Sequence, residues 1–266
     1  MKKLLIFLIV LVPSITQADR LFETYWNYDT NLKVTEYYKK GAIASTTKDT
    51  AFVVSDLGLS QEYAVSADST CVYSASASDS TGGAGLTILA ITGILGSSDN
   101  YKLTQELVYL SGTDTVNLTQ DFYWINDVRA AAAGSLGVAA GNITFEIGGR
   151  KVCRILAGYK SVNSTVFYMP GADFYGNKFN SGSLQFWFGA VIKQASAVSS
   201  FDLEGIEPGG SFWFTIDERS SHSAGSNGVE WRRSISIKPG CGARVVSNCT
   251  DNGARIVSGF QISIRR

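Results

Sequence analysis

The chain has 266 residues, and its 23 Lys and Arg residues balance 23 Asp and Glu residues, so the formal net charge is zero. Without a basic excess, the composition argues against a groove for nucleic acid. Hydrophobic residues reach 45% and charged residues only 17%, with 27 Gly residues, which favours one large or two smaller β domains with many turns.

The first 18 residues have the pattern of a secretory signal. Lys2-Lys3 precedes the apolar run Leu4–Val12, and small residues at Thr16 and Ala18 fit a cleavage site after Ala18. As a helix, this run would reach only about half of a ~30 Å bilayer core. Cleavage is therefore favoured over an uncleaved leader that contacts a membrane. A cleaved leader would make an extracellular or periplasmic location one alternative for the chain.

Residues 19–80 form a separate region in composition. An aromatic-rich part comes first, and short strands are predicted at Ala51–Val54 and Cys71–Tyr73 before the Gly-rich segment Asp79–Gly85. This region is either an N-terminal arm that docks on a neighbouring subunit or a set of edge strands. The remainder, residues 81–266, is predicted as the β-sandwich domain, with a subdivision near residue 148 as an alternative.

A block of apolar runs bounded by turn-forming residues follows. The runs are Leu86–Leu95, Thr104–Leu110, Asp121–Arg129 and Ile143–Ile147, with small residues at 130–141 predicted as a turn region. Runs of this length are typical of short antiparallel strands rather than helices. The block is therefore predicted to be a β-meander.

Strict alternation of apolar and polar residues marks the C-terminal half. Leu184, Phe186 and Phe188 share one face, and the row Phe212, Phe214 and Ile216 alternates with Trp213 and its neighbours. A period of two predicts sheets with one buried and one solvated face. The fold class is therefore predicted as all-β: an antiparallel β-sandwich, jelly-roll-like, as one sandwich or two packed sandwiches.

Four cysteines behind a signal sequence suggest disulfides formed in an oxidising compartment. The short spacing of Cys241 and Cys249 predicts a bridge that closes one loop, which leaves Cys71 and Cys153 as the second pair. The other two pairings stay open, and so does the alternative of four free thiols that pack as small apolar side chains.

Patterns that carry chemistry are scarce. The sequence has no Gly-x-Ser-x-Gly or His-Glu-x-x-His motif, and its single histidine, His222, lies in a predicted Ser/Gly-rich loop. No catalytic residue, cofactor or metal ligand is predicted, and we do not expect an enzyme. Trp187 and Trp213 lie on faces away from the main aromatic rows and are candidate surface contacts, either as a sugar-stacking platform or against another sheet or subunit.

Three segments of the central block share their order and spacing with one protein family. Glu106–Thr113 has the pattern E-x-V-x-L-x-G-T, Phe122–Arg129 contains Phe-x-x-Ile-Asn-x-x-Arg, and Ala133–Thr144 is a Gly-rich turn ending in Ile-Thr. Over residues 82–144 the chain resembles bacteriophage virion structural proteins, many of them from marine phages. The resemblance implies a structural β-sandwich subunit in a virion, with copies of itself and other virion proteins as partners. The N-terminal leader departs from that family.

Two functional hypotheses follow. In the first, the protein is a structural subunit of a phage particle, in the capsid, as a decoration, or in a tail or spike. In the second, it is a secreted bacterial adhesin or carbohydrate-binding module that contacts glycans on a host surface. The resemblance favours the first hypothesis, whereas the leader and the cysteines favour the second.

Overall fold

The computed structural model describes residues 34–43, 50–53, 55, 57, 67–96, 101–172, 176, 178–179, 181–192, 198–210, 212–222, 225–230, 235–250, 252–253 and 255–265. The predicted leader, residues 1–18, lies outside these ranges. None of the described residues forms a helix that could cross a membrane.

The described part of the chain contains strands and no helix. In chain order the strands are β1 (Val34–Ile43), β2 (Thr50–Val53), β3 (Thr70–Ser74), β4 (Leu86–Leu95), β5 (Lys102–Tyr109), β6 (Val116–Asn117), β7 (Phe122–Ala133), β8 (Ile143–Ile147), β9 (Arg150–Ile155), β10 (Phe167–Tyr168), β11 (Ser181–Ile192), β12 (Val198–Ile206), β13 (Phe214–His222), β14 (Gly225–Glu230), β15 (Ile235–Ile237), β16 (Gly242–Cys249) and β17 (Arg255–Arg265). All pairings between these strands are antiparallel.

One sandwich is built from the first two strands and the last part of the chain. Its strands pair from the outside inwards: β1 with β17, β2 with β16, β11 with β14, and β12 with β13. Pairing of β17 with β11 and of β16 with β12 then joins these pairs into two sheets. The orders are β1-β17-β11-β14, called the β17 sheet, and β2-β16-β12-β13, called the β12 sheet. This connectivity is a jelly roll, as the alternation predicted.

Strands β15 and β10 complete the jelly roll. β15 pairs with Gly182–Leu184 of β11, next to the part of β11 that pairs with β14. β10 pairs with the start of β16 at Gly242 and Ala243, on the side that β2 occupies further along. Side chains from both sheets fill one core, including Phe201, Leu203 and Val245 of the β12 sheet and Ile256, Ile262 and Ile264 of the β17 sheet.

A second sandwich is inserted between β2 and β11. This insert, strands β3–β9, has one sheet of order β6-β3-β8-β9, called the β8 sheet, and one of order β5-β4-β7, called the β4 sheet. The two sheets share a core that includes Val72 and Phe145 on one side and Ile91 and Val128 on the other. Two packed sandwiches are therefore present. Both predicted division points, residue 80 and the region near 148, fall inside the insert.

The strand limits of the central block agree with the sequence pattern, but the predicted β-meander is wrong. Leu86–Leu95 and Ile143–Ile147 are strands with the predicted limits. In a meander each strand would pair with the next, whereas β4 lies between β5 and β7, and β8 pairs with β3 and β9 in the other sheet. β7 also continues to Ala133, because alanines predicted to form a turn extend its pairing with β4.

The Gly-rich tip of the insert is organised by a buried carboxylate. Asp79 is fully buried and accepts four hydrogen bonds. Its Oδ1 accepts from the backbone N–H groups of Leu86 and Ala140, and its Oδ2 accepts from the Ser74 hydroxyl and the Gly141 N–H, at 2.6–2.9 Å. One side chain thus joins the end of β3, the start of β4 and the turn before β8.

Gly85 has no side chain because Asp79 fills the space beside it. A Cβ at Gly85 would overlap Asp79 Oδ1 and would also lie 3.0 Å from the Ala140 Cβ. Only glycine permits this close approach of backbone and carboxylate. The Gly-rich sequence at 79–85 is therefore part of a packed junction in the structure.

Candidate interaction surface

Three large apolar side chains at alternate positions are exposed at the start of β13, the outer strand of the β12 sheet, with Phe212 just before the strand and the other two inside it. Phe212, Phe214 and Ile216 are 84%, 48% and 37% exposed, and we call them the β13 apolar row. β13 is the outer strand of its sheet, and no other described strand pairs with its free edge. Exposed apolar rows on edge strands mark contact surfaces, since soluble proteins otherwise protect such edges.

The row packs against β12, the neighbouring strand of the same sheet. Phe214 pairs with Gly205 of β12, and the register between the two strands shifts at Leu203 and Glu204. A Cβ on Gly205 would lie 2.7 Å from Ile216 Cδ1 and 3.3 Å from Phe214 Cζ. The missing side chain therefore lets both apolar groups lie close against β12 while their outer surfaces stay exposed.

Trp213 lies between Phe212 and Phe214 in the sequence, but its side chain packs against Arg244 and Tyr168. The guanidinium of Arg244 lies 4.2 Å from the centre of its ring, and the Tyr168 ring contacts it edge-on at 6.4 Å. Arg244 Nε donates a hydrogen bond to Glu204 Oε2 at 2.6 Å, which holds the cation over the indole. Trp213 is thus half-buried in an intramolecular contact, and a stacking sugar would have to displace Arg244 from that ring face.

This contact is part of an aromatic seam that joins the insert to the jelly roll. Tyr168 of β10 packs against Trp124 at 5.0 Å and against Tyr123 at 5.6 Å, and both partners lie in β7 of the insert. Burial raises the pKa of Tyr168 far above its ordinary value, with a smaller opposing effect from Arg244. The Tyr168 phenol therefore remains neutral and acts in packing rather than in proton transfer.

A single amide reinforces the seam. Asn126 of β7 is fully buried; its Nδ2 donates to the Tyr168 carbonyl and its Oδ1 accepts from the Tyr168 N–H, both at 2.9 Å. The amide thus satisfies the backbone N–H and C=O of Tyr168, which in a continuous sheet would pair with a neighbouring strand. Asn126 belongs to the Phe-x-x-Ile-Asn-x-x-Arg segment, which gives that motif a structural role in holding the two sandwiches together.

Next to the row, two carboxylates face each other across β12 and β13. Asp202 pairs directly with Glu218, and Glu204 follows two residues further along β12. The pKa of Asp202 is raised above its ordinary value. Partial burial is the largest cause, followed by the charges of Glu218 and Glu204. Like charges at directly opposed strand positions destabilise a sheet.

We expect Asp202→Asn to stabilise the protein at neutral pH by about 0.5 kcal/mol, a small gain because the site is largely solvated. Because the folded-state pKa is raised, the protonated form of Asp202 stabilises the fold below the unfolded pKa, and this stability is lost as pH rises through the folded pKa. The gain should therefore disappear in acid. Urea unfolding at neutral and acidic pH measures it, with exposed Asp121→Asn as control; an equal gain at both pH values would contradict the assignment.

A second apolar surface lies on the insert. Leu107 and Tyr109 of the edge strand β5 are 57% and 59% exposed, and they point away from the insert core, unlike the buried Val108 between them. Leu107 lies opposite Ala90 of β4, and Ala90 in turn lies opposite Arg129 of β7. Arg129 forms an ion pair with Asp127 at 2.7 Å, so this face carries little net charge.

The two predicted tryptophan contacts are not brought together. Trp187 lies in β11, between Glu230 of β14 and Gly259 of β17, and thus belongs to the β17 sheet. Trp213 packs against the β12 sheet, beneath Arg244. The prediction that they contact other molecules stays a prediction. His222, predicted in a loop, instead ends β13 and pairs with Val198.

All four cysteines are free thiols in the structure, so the two predicted disulfides are not present. Cys241 and Cys249 lie at opposite ends of the extended β16 segment, about 26 Å apart at ~3.3 Å per residue, whereas a disulfide requires Cα atoms within about 7 Å. Cys71 in β3 and Cys153 in β9 are separated by β8. Their positions alternate in register, so Cys153 faces the core with Phe145 while Cys71 faces outward with Glu146.

Metal ligands are not grouped in the described ranges. No set of three or more His, Cys, Asp or Glu side chains there is placed to hold a metal ion.

Sequence reasoning identified the alternation in residues 212–217 but placed its apolar side in the interior. The pattern is the same whether the apolar side faces a core or the surface, and only the exposure of these side chains in the folded chain distinguishes the two.

Comparison with known proteins gives neither a matching family nor a matching curated protein. Solved structures similar to the chain include a mutant VP2 protein of infectious bursal disease virus from derived T=1 particles, with 13% identity, a TM-score of 0.26, and coverage of 92% of this chain and 72% of that chain. Another is the VP2 subviral particle of the same virus, with 13% identity, a TM-score of 0.26, and coverage of 90% and 74%.

Proposed function

We propose that this protein is a structural subunit of a virus particle, most specifically of a bacteriophage, that acts through repeated contacts between copies and catalyses no reaction. The observation that carries the proposal is the jelly-roll connectivity of β1, β2 and β11–β17, because this arrangement recurs in viral capsid domains. Its partners would be further copies and other virion proteins, and its location the virion.

Two further features support the proposal. The β13 apolar row leaves large hydrophobic groups in water unless another molecule covers them. The segment from residue 82 to residue 144, which resembles phage virion proteins, forms much of the insert, and its Asn126 joins the insert to the jelly roll. A subunit whose two sandwiches are joined by buried contacts is suited to a repetitive assembly.

Lectin domains share the jelly roll, so a secreted glycan-binding module is the competing function. Native mass spectrometry and light scattering of the purified full chain distinguish the two, together with binding to a panel of polysaccharides. We expect rings, shells or other regular high-order oligomers, and intact mass also reports whether the chain is cleaved after Ala18. A strictly monomeric protein with micromolar affinity for a polysaccharide would overturn the proposal.

A further inference from the structure

We infer that the β13 apolar row, Phe212, Phe214 and Ile216, binds the same row of a second copy across a two-fold axis. The inference deepens the proposed function and rests on it, because it names one of the contacts through which copies assemble. A two-fold contact uses the same patch on both partners, so the patch has to be complementary to itself.

The row satisfies this condition in its order of side chains. With the axis at Phe214, Phe214 meets its own copy, and Phe212 of one chain meets Ile216 of the other. Every exposed apolar group of the row is then covered by an apolar group. Because β13 has a free edge in the described part of the sheet, the two strands can approach without breaking an existing pairing.

For a second copy, charge favours the antiparallel orientation. Asp217 and Glu218 directly follow the row, with Arg219 after them, and Asp202 pairs with Glu218. At the other end the nearest acidic residue is Glu207, beyond the Pro-Gly-Gly turn. An antiparallel arrangement about Phe214 separates the acidic ends of the two copies by roughly 20 Å at ~3.3 Å per residue, beyond the ~8 Å screening length in physiological salt. A parallel arrangement would place these acidic residues side by side. The formal net charge is zero for the full chain and −2 once residues 1–18 are removed, with 21 Lys and Arg against 23 Asp and Glu, so overall repulsion between copies is small.

The strand is also held in place from its other side. Trp213 lies under Arg244 and beside Tyr168, so β13 presents the row from a packed position. A contact surface that is already ordered loses less conformational entropy on association. The row therefore loses less conformational entropy on binding than a segment that becomes ordered only in the complex.

The test introduces a charge on the axis in the full chain. Phe214→Glu would place two carboxylates against each other, and we expect it to raise the concentration for half-assembly about tenfold or more. Phe212→Glu should act in the same direction, and its 84% exposure means that the fold does not depend on it. Leu136→Glu, at an exposed apolar residue of the insert, is the matched control and should assemble like the unmodified protein. Circular dichroism verifies folding.

Cross-linking provides a second readout that does not depend on affinity. A residue on a two-fold axis meets its own copy, so Phe214→Cys treated with diamide should form covalent dimers. Leu136→Cys and the unmodified chain, with its four thiols, measure the background. Assembly that is unchanged in Phe214→Glu, with no dimer above background in Phe214→Cys, would overturn this contact and leave the proposed function standing. An unmodified chain that stays monomeric at all concentrations would overturn both.

Discussion

Replacing Asp79 with Asn should lower the free energy of unfolding by about 3 kcal/mol and the Tm by about 10 °C. Asp79 Oδ1 accepts from two backbone N–H groups, and Oδ2 accepts from a third and from the Ser74 hydroxyl. If an amide NH2 replaces either oxygen, it faces at least one backbone N–H, so two hydrogen-bond donors oppose each other. The backbone N–H is fixed by the fold and cannot rotate to another acceptor. The substitution keeps the volume, so the loss reports hydrogen bonding and charge rather than a cavity.

Urea unfolding followed by tryptophan fluorescence measures this effect, since Trp124 lies in the insert core. Asp114→Asn is the matched control, because Asp114 is exposed in a turn of the same insert and should change stability by no more than about 0.5 kcal/mol. Gly85→Ala changes the backbone side of the same junction. It should also lower the free energy of unfolding, because its Cβ would overlap Asp79 Oδ1. Equal stability of Asp79→Asn and Asp114→Asn would refute the role of this carboxylate.

Replacing Asn126 with Ala should cost about 3 kcal/mol, because it leaves the N–H and C=O of Tyr168 without partners in a buried seam and removes side-chain volume. The two hydrogen bonds that the substitution removes join β7 of the insert to β10 of the jelly roll. We therefore expect the connection between the two sandwiches, around residues 156–166, to be cut faster by a protease at low concentration.

Asn117→Ala provides the comparison, since Asn117 is exposed in β6 and far from the seam in the strand order. It should leave both the urea midpoint and the cleavage rate unchanged. If Asn126→Ala unfolds at the same urea concentration as Asn117→Ala, the amide does not join the two sandwiches.

The limits of individual strands could be predicted because local composition determines them. Leu86–Leu95 and Ile143–Ile147 are apolar runs between turn-forming residues, and both are strands in the structure. Their partners could not be predicted in this way, because hydrogen bonding between strands does not depend on which side chains they carry. The alternation also allows either face of a strand to be buried, so it could not reveal that Phe212 is exposed while Trp213 packs inward.

The same limit applies to the candidate site. The spacing of Cys241 and Cys249 suggested a closed loop, but the residues between them extend as one strand and carry the two thiols apart. Trp213 was identified from its face on the strand, whereas Arg244 and Tyr168, which cover it, are distant in sequence. Asn126 was part of a recognised motif, yet its role depends on where β10 lies. Each of these features needs the tertiary arrangement.

The insertion of one sandwich within the other also sets an order of folding during synthesis. β1 and β2 leave the ribosome well before their partners β17 and β16 have been synthesised. At ~5–20 residues per second, the roughly 190 residues between Val53 and Val246 take about 10–40 s to make. The insert has all of its strand partners within itself and can fold during this delay. The early strands remain without their partners until β16 and β17 have been synthesised, and unpaired strands are open to aggregation during that interval.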